Sequence, residues 1–242
     1  MEKDKENIQA KNPLGTAPVG GLIRKFAIPA IISMLVSAMY NIVDQIFIGQ
    51  GVGMLGNAAT NVAFPVTTIA TAMALLLGIG GASNYNLEMG AGREKKASGI
   101  AGTALSSLAI SGAVLCVIVV LFLKPLLTLF GATKDVMPYA VDYTGITALG
   151  LPFYILSVGG NHVVRADRSP TYSMACVTAG AVINTILDPL FIFGFGWGIK
   201  GAAWATVIGQ VVSGILVVVY FWKFRKMYLE KSMLKPRLHY LK

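Results

Sequence analysis

Six long apolar runs, at about 26–48, 58–81, 100–123, 141–160, 172–195 and 201–222, are separated by short stretches of glycine, amide and charge. Each is close to the 20 or so residues that a helix, rising about 1.5 Å per residue, needs to cross roughly 30 Å of hydrocarbon. Barrel strands are about 10 residues of alternating polarity, and these runs are longer and unbroken. The pattern predicts an all-α integral membrane protein built as a six-transmembrane-helix bundle. A polar leader over 1–25 precedes it and a basic tail over 223–242, read as a linker, follows it. The connections at 49–57, 84–99, 124–140, 161–171 and 196–200 leave no room for a soluble domain.

Composition agrees with the bilayer as solvent: the chain is 55% hydrophobic and 13% charged, with a mean hydropathy of +0.67. Its net charge of +9 raises the question of a nucleic-acid partner, but the charges sort by topology. With the amino terminus taken as cytoplasmic, only Lys124, Lys134 and Lys200 of the 20 Lys and Arg fall outside. The positive-inside rule then puts both termini in the cytoplasm of a multi-pass protein, and no nucleic acid is expected. No cleavable signal is expected, since the leader is polar and the first apolar run is too long. Cys116 and Cys176 lie in apolar spans and read as small packing residues.

No enzyme is expected. No nucleophile has a base nearby, no His and Cys cluster marks a metal, and no P-loop is present. The run Gly194, Gly196, Gly198 and Gly201 follows an apolar helix and lacks the Lys-Ser/Thr of a phosphate loop, so it reads as a turn. Many of the 27 glycines are expected to let helices approach closely in lipid.

Ionisable residues within a span cost about 2.5–3.5 kcal/mol on insertion scales, and they persist where they line a cavity or find a partner. Asp44 falls near the end of the first span and Asp188 in the fifth, each with a rival role, Asp44 as an interfacial residue and Asp188 as a structural hydrogen-bonding partner. Asn184 lies four residues before Asp188, so both project from one helix face and can hold a proton or cation jointly. Pro189 removes a backbone donor directly after Asp188. Asp142 and Tyr143 read as interface anchors and His162 as a solvated loop histidine beside Arg165. Glu88 and Arg93 read as a local ion pair or cap, and Met34, Met39, Tyr40, Phe64 and Met73 as packing.

Three stretches, Tyr40-Asn41-Ile42-Val43-Asp44-Gln45-Ile46-Phe47-Ile48-Gly49, Asn184-Thr185-Ile186-Leu187-Asp188-Pro189-Leu190-Phe191-Ile192-Phe193 and Gly201-Ala202-Ala203-Trp204-Ala205-Thr206, resemble the multidrug and toxic compound extrusion (MATE) family, in particular its DinF-like branch. The resemblance implies one six-helix lobe, the N-terminal half, of a twelve-helix transporter. It implies export of organic cations or amphipathic compounds from the bacterial cytoplasmic membrane in exchange for protons or sodium ions, with no cofactor. It makes Asp44, Asn184, Asp188 and Thr206 the ion-coupling residues, a Na+ site included, and Pro29 the place of a first-helix bend. The second lobe is missing, so the chain is expected to be a fragment or to pair with another copy. Two other readings are a lipid-precursor flippase of the same superfamily, which calls for more cationic residues inside the spans, and a membrane scaffold that does not transport.

Overall fold

The computed structural model describes residues 18–225 and 227; the expectations for a leader over 1–17 and for most of the basic tail lie outside these residues. The elements are α1 (Val19–Gly51), α2 (Met54–Gly90), α3 (Glu94–Leu121), the short α4 (Leu123–Leu129), α5 (Met137–Ala166), α6 (Pro170–Pro189) and α7 (Ile199–Val219). Both α6 and α7 run on into five-residue π-helical turns, Leu190–Gly194 and Tyr220–Phe224. Six helices, α1 to α3 and α5 to α7, are long and apolar enough to cross a membrane, as the hydropathy pattern predicts. The described residues form no strand.

The helices outrun the apolar spans. Residues 19–25, placed in the leader by the sequence pattern, already belong to α1. Helix α2 continues through Ser83, Asn84, Asn86 and Glu88, so the expected connection at 84–99 shrinks to residues 91–93. Helix α5 continues through Asn161, His162 and Arg165, and α4 occupies part of the 124–140 connection. A helix satisfies its own backbone polar groups, so it need not stop where its side chains turn polar at the membrane edge.

Helix α5 lies at the centre, packed against α2, α3 and α7. Small residues make this possible. A Cβ on Gly78 of α2 would lie 2.5 Å from the Gly159 Cα of α5, and one on Gly180 of α6 would lie 2.8 Å from the Gly209 carbonyl oxygen of α7. Backbones this close gain dispersion contacts that replace the absent hydrophobic drive in lipid. The turn between α1 and α2 places Gly53 at φ 86° and that between α2 and α3 places Gly92 at φ 75°, conformations that glycine alone adopts without strain. Across the second turn Glu88 pairs with Lys96 at 2.9 Å and with Arg93.

Helix α1 is the least embedded. It leans mainly on α6, and its buried residues are Pro29, Ser33, Asp44 and Ile48. We call the end of the bundle that carries the start of α1, the α2–α3 and α5–α6 turns and the end of α7 the basic end, after Arg24, Lys25, Arg93, Arg165, Arg168 and Lys223. The opposite end is the far end.

Candidate functional site

In the far half of the bundle, where α1 meets α6, Asp44 and Asp188 come together. Asp44 is 7% exposed, Asp188 fully buried, and their carboxyl groups lie within hydrogen-bonding reach of each other. Helix α1 continues to Gly51, so Asp44 sits inside a helix, with its side chain turned into the bundle. Asp44 Oδ1 is buried and has no conventional hydrogen-bond donor. Two ionised carboxylates are acceptors only, so this approach requires a proton between them or a cation beside them.

Helices α6 and α7 supply the rest. The contact at Gly180 and Gly209 presses them together, and a Cβ on Gly209 would lie 3.2 Å from the Asn184 Cβ. Asn184, one turn before Asp188, thereby reaches both helices. Its amide is satisfied at both ends when the nitrogen donates to Asp188 Oδ2 at 3.3 Å and the oxygen accepts from the Thr206 backbone N–H at 3.3 Å. All four residues proposed from sequence for the ion site therefore meet at one place. Immediately past Asp188, Pro189 lacks a backbone N–H, and the helix widens into the π turn that follows.

Three further side chains belong to the site that the sequence pattern did not single out for it. Tyr143 of α5, expected at the interface, instead lies beside Thr206 and near both acids. Tyr40, expected to serve packing, faces Asp44 and Asp188 from α1. Gln45 donates to Asp44 Oδ2 at 3.4 Å and accepts from the Thr60 hydroxyl of α2 at 3.0 Å, linking the acid to a third helix. The donor set is carboxylate, amide and hydroxyl oxygen throughout, which suits a proton or a hard cation such as Na+. Among the described residues no three His, Cys, Asp or Glu cluster as a transition-metal site would require.

Pro29 lies apart from the acids, buried nearer the basic end of α1, and its carbonyl accepts from the Ser33 hydroxyl at 2.7 Å. The helix is continuous through it. Below the acids a cavity of about 580 Å³ extends from Asn184 and Thr206 toward the basic end. Tyr40, Tyr154, Ser157 and Asn161 line it, with His162 and Arg165 at its basic end. The Thr71 and Tyr154 hydroxyls share a hydrogen bond of 2.8 Å across α2 and α5, and Ser157 donates to Ser213 at 2.8 Å across α5 and α7. His162, expected in a solvated loop, is a half-buried helical residue of this wall. Its sequence position, just past the apolar run, hid that. Asp142 remains at the surface, 3.4 Å from Lys200.

The MatE family model matches residues 29–190, a stretch that begins at Pro29 and takes in both acids. The chain belongs to the MatE family. Members of this family are transporters and not enzymes. The chain is 31% identical over 217 residues to the FAD transporter of Shewanella oneidensis, covering 86% of this chain and 48% of that protein. It is 29% identical over 196 residues to the multidrug export protein MepA of Staphylococcus haemolyticus, covering 81% of this chain and 43% of that one. Among solved structures it resembles the MATE multidrug transporter DinF-BH, at 38% identity and a TM-score of 0.85, over 91% of this chain and 50% of that chain. This MATE chain thus spans about half the length of the relatives it matches, as one six-helix lobe of their fold.

Proposed function

We propose that the chain is one half of an ion-coupled exporter of organic cations and amphipathic compounds, in which Asp44 and Asp188 jointly hold the coupling proton or sodium ion. The observation that carries this reading is the meeting of two buried carboxyl groups, joined through Asn184 to the wall of a cavity of about 580 Å³. That volume suits a drug-sized molecule. A scaffold that does not transport has no use for two buried acids facing each other, one of them with an oxygen that lacks a donor. The relatives' names, multidrug export and FAD transport, favour cargo of mixed chemistry.

The mechanism is a difference of affinities between two states. When the ion occupies the pair, the carboxyl groups stay together and α1 is held to α6. When the ion leaves, two like charges face each other where these helices meet, and α1 is free to shift. Pro29 removes one rung of the α1 hydrogen-bond ladder, so the helix is softest between the basic end and Asp44. Asn184, Thr206 and Tyr143 hold the pair in place from α5, α6 and α7. Both termini lie in the cytoplasm of a bacterial cell, where the basic end meets the inner leaflet. A second six-helix lobe, supplied by the rest of a longer protein or by another copy, closes the translocation path.

The test is gradient-driven ethidium uptake into everted membrane vesicles containing the chain joined to a second lobe. Asp188→Asn should abolish uptake while the protein stays in the membrane at its normal level. Unchanged uptake would remove Asp188 from the mechanism. Repeating the measurement with a sodium gradient in place of a proton gradient decides the ion.

A further inference from the structure

The cavity is electrically two-ended. Asn184 and Thr206, the neighbours of the acid pair, line its far end, and at its basic end stand Arg165 and His162, neighbours on α5. Arg165 has been counted with the loop charges that orient the chain, but it lies within α5 and is only partly exposed. Its Nε donates to the Ser173 hydroxyl at 2.9 Å. Among the described residues no carboxylate lies within ion-pair distance of it, although Glu88, Asp142 and their partners form such pairs elsewhere. A guanidinium carries five N–H donors in a planar fork, so most of this one is left for another partner.

A second, independent observation points the same way. Asn161, one turn before Arg165 on the same face, is only 3% exposed and lines the cavity. Its nitrogen donates to the Ser157 carbonyl at 2.8 Å, and its Oδ1 has no partner. Buried polar atoms are nearly always satisfied, and a small shift of this side chain, which already lines the cavity, would bring Oδ1 to what the cavity holds. Beside a cation and a histidine, that occupant has an acidic group for Arg165 and a hydroxyl or N–H for Asn161. Leu75, Ile79, Val158 and Val177 line the same cavity and suit an apolar body.

We infer that the basic end of this cavity is a binding site for the acidic group of an amphipathic organic anion, a phosphate monoester above all, held by Arg165 and His162 with Asn161 accepting from its P–OH. Phosphate fits best because its monoanion presents acceptors and a donor on one centre, and Arg reads phosphate with two parallel bonds. The site lies at the opposite end of the cavity from the ion pair and does not depend on the pair's coupling role. The phosphate has two sources, a phospholipid of the inner leaflet or a soluble phosphorylated compound, with the same recognition chemistry.

Calorimetric titration of the purified 242-residue chain in an uncharged detergent tests this. Octyl phosphate should bind at least about tenfold more tightly than octyl glucoside or octyltrimethylammonium, which share its tail. Arg165→Gln should lower octyl phosphate affinity about tenfold, the loss of one charge-assisted bond, and Arg165→Lys should restore part of it. A short-chain phosphatidic acid binding more tightly than octyl phosphate identifies the lipid as source; the reverse identifies a soluble phosphate. The wild-type comparison needs no variant, so a misfolded Arg165→Gln leaves the test intact. Equal affinity for all three octyl compounds, or full octyl phosphate affinity in a folded Arg165→Gln, overturns the inference. Failure here with intact ethidium transport would leave the export reading standing, and the converse also holds.

Discussion

Two buried carboxylate centres sit near opposite ends of the bundle, and they are built on opposite principles. At the basic end, Asp167 is 2% exposed in the α5–α6 turn and is met by hydroxyl donors. Tyr220 donates to Oδ2 at 2.7 Å and Tyr85 to Oδ1 at 3.5 Å, joining α7 and α2 to the turn. At the far end, Asp44 and Asp188 are similarly buried, yet each faces another acid, and Asp44 Oδ1 has no conventional donor. Burial alone therefore does not mark a functional acid. A carboxylate surrounded by donors is a fastening, and in the proposed function a carboxylate facing a second one is a place for an ion to come and go.

The largest break in this comparison is Asp44→Asn. It should abolish coupling-ion binding by the purified chain, read as loss of any ion-dependent change in tryptophan fluorescence, with the thermal midpoint unchanged or raised because one like charge is gone. At the basic end Asp167→Asn should do the reverse. It removes hydrogen bonds to a buried charge worth about 1.5–3 kcal/mol each, so the thermal midpoint in detergent should fall by several degrees while ion affinity stays within about twofold. If Asp167→Asn instead eliminated ion binding, the two centres would not be separable.

Smaller effects sharpen the boundary of the far site. Gly209→Ala places a methyl 2.8 Å from the Gly180 carbonyl oxygen and 3.2 Å from the Asn184 Cβ. Overpacking of this kind costs about 1–3 kcal/mol, and parting α6 from α7 should draw Asn184 off Thr206, lowering ion affinity about tenfold. An ion titration of the variant checks it. Gln45→Leu, which cuts the link from Asp44 to Thr60, should have the mildest outcome, a change of a few-fold in ion affinity, from loss of a bond worth about 1 kcal/mol.

How much of this was legible in the sequence follows from the range over which each signal acts. The six spans are written in continuous apolar runs, a local property of the chain. Asn184 and Asp188 share a helix face at four-residue spacing, so half of the site could be read without tertiary information. The meeting with Asp44 could not, because it depends on how α1 lies against α6. Tyr40 and Tyr143 stayed hidden because an aromatic residue in an apolar run has the same local pattern whether its hydroxyl meets lipid headgroups or a buried acid. His162 and Arg165 were placed in a loop because the apolar run ends before them, whereas the helix continues to Ala166. Asp167 carried no signal at all: next to Arg168 in a polar turn it looks like one more surface charge.

The central claim is that Asp44 and Asp188 share one exchangeable ion. Infrared difference spectroscopy of the purified chain, following the carboxylic C=O band across a pH titration, measures this directly. The account predicts one protonating group for the pair, with its band displaced or abolished by either Asp44→Asn or Asp188→Asn alone. Two independent bands, each surviving unchanged when the other acid is replaced, would show that the carboxyl groups titrate separately and would contradict the account.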